Sequence, residues 1–139
     1  MPAVTRWSIK AGLAYLVVAL LLGMMLTAPA VVPLPPAIAV WGPVYFHLFM
    51  VGWVTQLIFG VVFWMFPRYS REKPHGREGL AVATFVLLNI GLVLRAIAEP
   101  IHSLWPAPTW GAVVALSALL QWVAGMLFVI NTWARVKER

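Results

Sequence analysis

The chain has 139 residues, 63% of them hydrophobic and 10% charged, with a formal net charge of +6. A mean hydropathy of +0.91 excludes an ordinary soluble domain, which would have too little polar surface to cover such a core. The absence of cysteine removes disulfides, thiolate metal sites and cysteine nucleophiles.

A membrane-crossing helix needs roughly 20 predominantly apolar residues to traverse about 30 Å of hydrocarbon. Four segments meet that demand: about 9–28, 44–66, 80–98 and 110–133. Each must be helical, because backbone exposed to lipid has to satisfy its own hydrogen bonds. The predicted fold is an all-α integral membrane four-helix bundle forming a single domain.

The first span follows Arg6 and Lys10 and ends at Ala28-Pro29-Ala30. That layout also resembles a secretory signal peptide. The apolar run is longer than a signal needs, so it reads as a retained span. The connection "APAVVPLPPAIAVWGP" carries no charge and reads as a stiff extended crossing, since proline fixes φ and lacks a donor.

The second span contains Gly52, Gln56 and Gly60 in steps of four. Small residues let helices approach closely, and an intramembrane glutamine is generally hydrogen-bonded across an interface. Asn89 in the third span and Asn131 in the fourth read in the same way, as do Ser117, Gln121 and Gly125 along the fourth. The loop after the second span carries Arg68, Arg71, Glu72, Lys73, Arg77 and Glu78. His75, in "KPHGRE", reads there as a solvated loop residue.

The charges before the first span, between the second and third, and after the fourth (Arg135, Lys137, Glu138, Arg139) all fall on one side. The positive-inside rule makes that side cytoplasmic, with both termini inside, in the cytoplasmic membrane of a prokaryote. The basic balance is therefore explained by topology and the bilayer, without nucleic acid. Trp7, Trp64, Tyr69 and Trp133 near the inner ends, and Trp41, Tyr45, Trp105 and Trp110 near the outer ends, form the two interfacial belts. Trp53 and Trp122 lie deeper, where an indole N–H needs a partner.

Ionisable residues inside a span are costly and mark function by default. His47 lies about 5 Å below the outer end of its helix and Arg95 about 7 Å below the outer end of its own, at 1.5 Å rise per residue. Glu99 and His102 follow Arg95 at i+4 and i+7 and share its face while the helix lasts. Pro100 removes a donor in that last turn and can bend it. The plain alternatives are an i, i+4 ion pair for Arg95 and Glu99, a backbone-bonded interfacial histidine at 47 and a polar loop histidine at 102. Convergence of all four residues at one membrane level favours a site. Two imidazoles on neighbouring helices can ligate a haem iron and an arginine can pair with a propionate. Two histidines with Met24, Met25 or Met50 are instead a set that suits copper.

The stretch from His47 to Arg68 resembles the second transmembrane helix of the haem–copper oxidase catalytic subunits and their nitric oxide reductase relatives. The matching residues are His47, Gly52-Trp53, Phe59-Gly60, Trp64 and Phe66-Pro67-Arg68. In that family this histidine is an axial ligand of the low-spin haem, so the resemblance implies the same role for His47. The chain departs from the family in having far fewer spans and only three histidines, His47, His75 and His102. The oxygen-reducing centre is therefore not expected. What the resemblance implies is a b-type haem protein for electron transfer or small-ligand binding. His47 is the candidate iron ligand and His102 the candidate second one, within the chain or from a neighbouring protomer, unless the iron is five-coordinate; Arg95 is the propionate partner and Glu99 the carboxylate that orients Arg95 or His102. A homo-oligomer is expected. A cofactor-free accessory subunit working with respiratory-chain proteins, or a copper-handling protein, is the alternative.

Overall fold

A computed structural model describes residues 1–67 and 77–136. His75 and the charged residues 68–73 and 137–139 lie outside the described residues. Among the described residues the protein is entirely helical, with four helical segments long and apolar enough to cross a membrane. The first is α1 (Ala3–Thr27). The second is composite, running from α2 (Gly42–His47) through a π-helical segment (Leu48–Thr55) into α3 (Gln56–Met65). The third is α4 (Glu78–Leu104) and the fourth α5 (Pro108–Trp133).

Three features differ from the sequence expectation. The proline-rich connection is not extended throughout: Ala28–Ala30 and Pro36–Trp41 coil into 3₁₀ turns. Proline is compatible with the first position of a helical turn, where its missing N–H is not needed. The second span widens into a π-helix just after His47, and Thr55 Oγ1 donates to the carbonyl of Met50, five residues back, at 2.9 Å. The third span continues four residues beyond Pro100. Pro100 cannot donate to the carbonyl of Ala96, but it sits near the helix end, where one lost bond does not stop the chain.

Helix association in a bilayer relies on close packing and interhelical hydrogen bonds, because lipid is as apolar as the side chains. Ala19, Val44, Leu48 and Leu92 form one core with Tyr15 and Phe49 packed against it. Val4, Phe63 and Ala81 form a second, towards the end that holds the termini. Phe59 stacks on Phe128 with ring centroids 3.9 Å apart. Large apolar side chains such as Leu20, Leu119 and Ile130 point outward, as lipid-facing residues should. Trp122, expected to need a buried partner, is 63% exposed on that outer surface.

Glycines set the close approaches. A Cβ at Gly52 would lie 2.8 Å from Tyr15 and 2.9 Å from Leu92, and one at Gly60 would lie 2.8 Å from Ser8. Gly125, the third member of the fourth-span stripe, faces open space. Gly91 instead makes the contact between α4 and α5, with the Ser117 carbonyl 3.0 Å and Gln121 Cγ 2.9 Å from its would-be Cβ.

Polar groups tie the spans together. Asn89 Oδ1 accepts from the Tyr15 hydroxyl at 2.8 Å and from Gln56 Nε2 at 3.4 Å, joining three spans at one point. Asn131 Oδ1 accepts from the Arg77 backbone N–H at the start of α4. Thr5 donates to the Gly60 carbonyl. Arg135, read from the sequence as one of the loose terminal charges, is fully buried. Its guanidinium donates to the carbonyls of Phe63, Phe66 and Pro67 at 2.9, 2.7 and 3.0 Å. These carbonyls lie at the end of the second span and carry the negative end of its dipole. Burial pulls the Arg135 pKa below its ordinary value, but a guanidinium stays charged throughout the usable pH range.

Two predictions follow from this packing. Arg135→Ala should lower unfolding stability by about 3 kcal/mol, the scale of bonds to a charged donor. Arg135→Lys should recover only part of it, because an ammonium cannot span three carbonyls as a planar fork does. Thermal unfolding in a mild detergent measures both. By the same assay Gly91→Ala should cost about 1–3 kcal/mol through overpacking against a backbone carbonyl, whereas Gly125→Ala should be neutral or slightly stabilising.

Candidate functional site

At the end of the bundle away from the termini, α2 and the last turns of α4 meet. Pro43 occupies the first turn of α2, and His47 closes that helix at the start of the π segment. His47 Nδ1 lies 2.8 Å from the Pro43 carbonyl oxygen. A carbonyl only accepts, so Nδ1 carries the proton in this bond, and in the neutral ring Nε2 is left as the basic nitrogen. The imidazole stands edge-on to Phe46, with ring centroids 5.9 Å apart.

Glu99 links the two helices. Its Oε2 lies 3.8 Å from His47 Nδ1, and its Oε1 accepts from Arg95 Nη2 at 3.4 Å. The three side chains are 22% (His47), 19% (Arg95) and 16% (Glu99) exposed, so the cluster sits at the rim of the bundle rather than in its centre. The predicted convergence of His47, Arg95 and Glu99 is present.

His102 is on the same continuous helix, but its ring packs against α5. Cε1 lies 3.5 Å, and Nε2 3.9 Å, from a Cβ built on Gly111. Among the described residues no group of three or more His, Asp or Glu side chains is arranged to hold a metal ion. Met24, Met25 and Met50, the methionines of the copper reading, are 63%, 47% and 40% exposed.

The cluster is under-bonded. Arg95 Nε, Glu99 Oε2 and His102 Nδ1 are buried and have no hydrogen-bond partner. All three belong to one stretch of α4, and polar atoms so placed are costly unless paired. An imidazole anchored through Nδ1 leaves Nε2 as its basic nitrogen, and the guanidinium and carboxylate beside it keep spare hydrogen-bonding capacity.

Sequence reasoning missed the π segment beside His47, the burial of Arg135 and the place of Tyr15 at the Asn89 junction. A hydroxyl-bearing aromatic in mid-span was the available signal for Tyr15. Hydrophobic periodicity carries no signal for the π segment. No family model, curated protein or solved structure matches this chain.

Nitrogen-15 NMR of histidine-labelled protein tests the anchoring of His47. The expected signal is the Nδ1–H tautomer in the neutral ring, and a predominantly Nε2–H signal would contradict the Pro43 bond.

Proposed function

We propose that this chain is a b-type haem-binding membrane protein for electron transfer or small-ligand binding, with His47 Nε2 as the iron ligand. The observation that carries this is the 2.8 Å bond from His47 Nδ1 to the Pro43 carbonyl. It fixes the tautomer and ring orientation that a metal-ligating histidine needs. The helix resemblance over 47–68 points to the same residue and the same role.

Haem, when bound, would supply one-electron chemistry and a site for a small ligand. The chain's own residues would orient and neutralise it. Arg95, whose Nε has no hydrogen-bond partner, would pair with a propionate, and Glu99 bonds to Arg95 and faces His47. His102, turned towards Gly111, is the candidate second ligand through a neighbouring protomer. The rim position of the cluster favours a homo-oligomer in which two copies enclose the group. The distribution of Lys and Arg supports an orientation with both termini cytoplasmic, in a prokaryotic inner membrane.

A cofactor-free accessory subunit of a respiratory assembly is the second reading. The unpartnered Arg95, Glu99 and His102 atoms favour it equally, because a partner subunit would satisfy them too. Copper held by His47 and a methionine is separated from both by elemental analysis.

Protein purified from haem-supplied cells decides the matter by its visible spectrum. The expected result is a Soret band that is lost in His47→Ala, with reduced bands that shift under carbon monoxide if one axial position is open. A colourless protein, or a band unchanged in His47→Ala, would overturn the haem reading. Colourless protein that co-purifies with larger subunits would support the accessory one.

A further inference from the structure

A second polar feature lies at the other end of the bundle, independent of the haem reading. Gln56 is 1% exposed. Its Nε2 donates to Asn89, but its Oε1 is buried without a partner. Gln56 lines a small cavity bounded by all four spans, with about 20 Å³ open to the centres of water molecules. Ser8, Thr84 and Asn131 supply the other polar groups of the wall, among Phe59, Leu88 and other apolar side chains.

A cavity takes up a water when it offers roughly 10–15 Å³ of such space and two to four polar partners; a wholly apolar cavity stays dry. This cavity meets both conditions. An unpaired amide oxygen is costly in an apolar surrounding. The Thr84 hydroxyl already donates to the Leu80 carbonyl at 2.8 Å, which leaves its oxygen lone pairs free to accept. Asn131 Oδ1 is taken by the Arg77 N–H, which places it about 18 Å along α4 from the level of Asn89, so the Ser8 and Thr84 hydroxyls are the partners within reach of Gln56.

We propose that this cavity is a binding site for one ordered water, which donates to Gln56 Oε1 and bonds to the hydroxyl groups of Ser8 and Thr84. The water completes the polar junction of Tyr15, Asn89 and Gln56 and extends it towards the end of the bundle that holds the termini. Gln56 is thus bonded through both ends of its amide.

A crystal structure of the full chain in a lipid phase, at a resolution that shows ordered waters, tests this. The expected result is an isolated density peak within roughly 3.2 Å of Gln56 Oε1, absent from the same map of Gln56→Met. Clear density for the lining side chains with no peak would overturn it. So would a rearranged Gln56 whose Oε1 accepts from a protein donor. If Gln56→Met does not fold, the wild-type map alone decides.

Discussion

Inside hydrocarbon there is no water to accept or donate a hydrogen bond, so every polar group of this protein must find its partner within the bundle or on something bound to it. The helices answer this for the backbone. The side chains answer it with a few cross-span contacts. Asn89 gathers Tyr15 and Gln56 from two other spans. Arg135 closes the carbonyl end of the second span, and Asn131 meets the first N–H of α4. These bonds fix the rotation of each helix more specifically than apolar packing can, since leucine against leucine is little different from leucine against lipid.

The same constraint gives meaning to the places where it is not met. Arg95, Glu99 and His102 leave three buried polar atoms without a hydrogen-bond partner on the last turns of α4, although Glu99 Oε2 faces His47 Nδ1 at 3.8 Å. The i, i+4 pair of Arg95 and Glu99 and the backbone bond of His47 are the contacts that the plain alternatives describe; the buried atoms without a hydrogen-bond partner are what they leave over. The π segment begins at this point. Extra-wide turns are rare within α-helices and are frequent at functional sites. Gln56, whose oxygen has no hydrogen-bond partner, lines a small cavity, whereas the His47 cluster lies at the rim of the bundle.

Much of this architecture was legible in the sequence. Four apolar runs of sufficient length dictate four helices, and Gly52, Gln56 and Gly60 mark a face that does pack inward. The convergence of His47, Arg95 and Glu99 followed from counting residues down from two helix ends. The direction of His102 did not follow, because a seven-residue offset allows a side chain to lean towards either neighbour, and Gly111 offers the ring a flat surface. Arg135 looked like a terminal charge, since sequence cannot show that the carbonyls of Phe63, Phe66 and Pro67 end within its reach. Gly91 was overlooked because it stands outside any stripe, and the match of its bare Cα to the Ser117 carbonyl exists only in three dimensions.

The central claim is that the under-bonded cluster at His47 is a binding site for haem. A ligand that binds the folded state alone stabilises it by about 2.7 kcal/mol at one hundred times its dissociation constant. Titrating haemin into protein produced without haem, while following the thermal unfolding midpoint, is the most direct measurement. The account predicts a midpoint that rises with haemin in the native chain and stays flat in His47→Ala. A midpoint indifferent to haemin, or one that rises equally in both proteins, would contradict it.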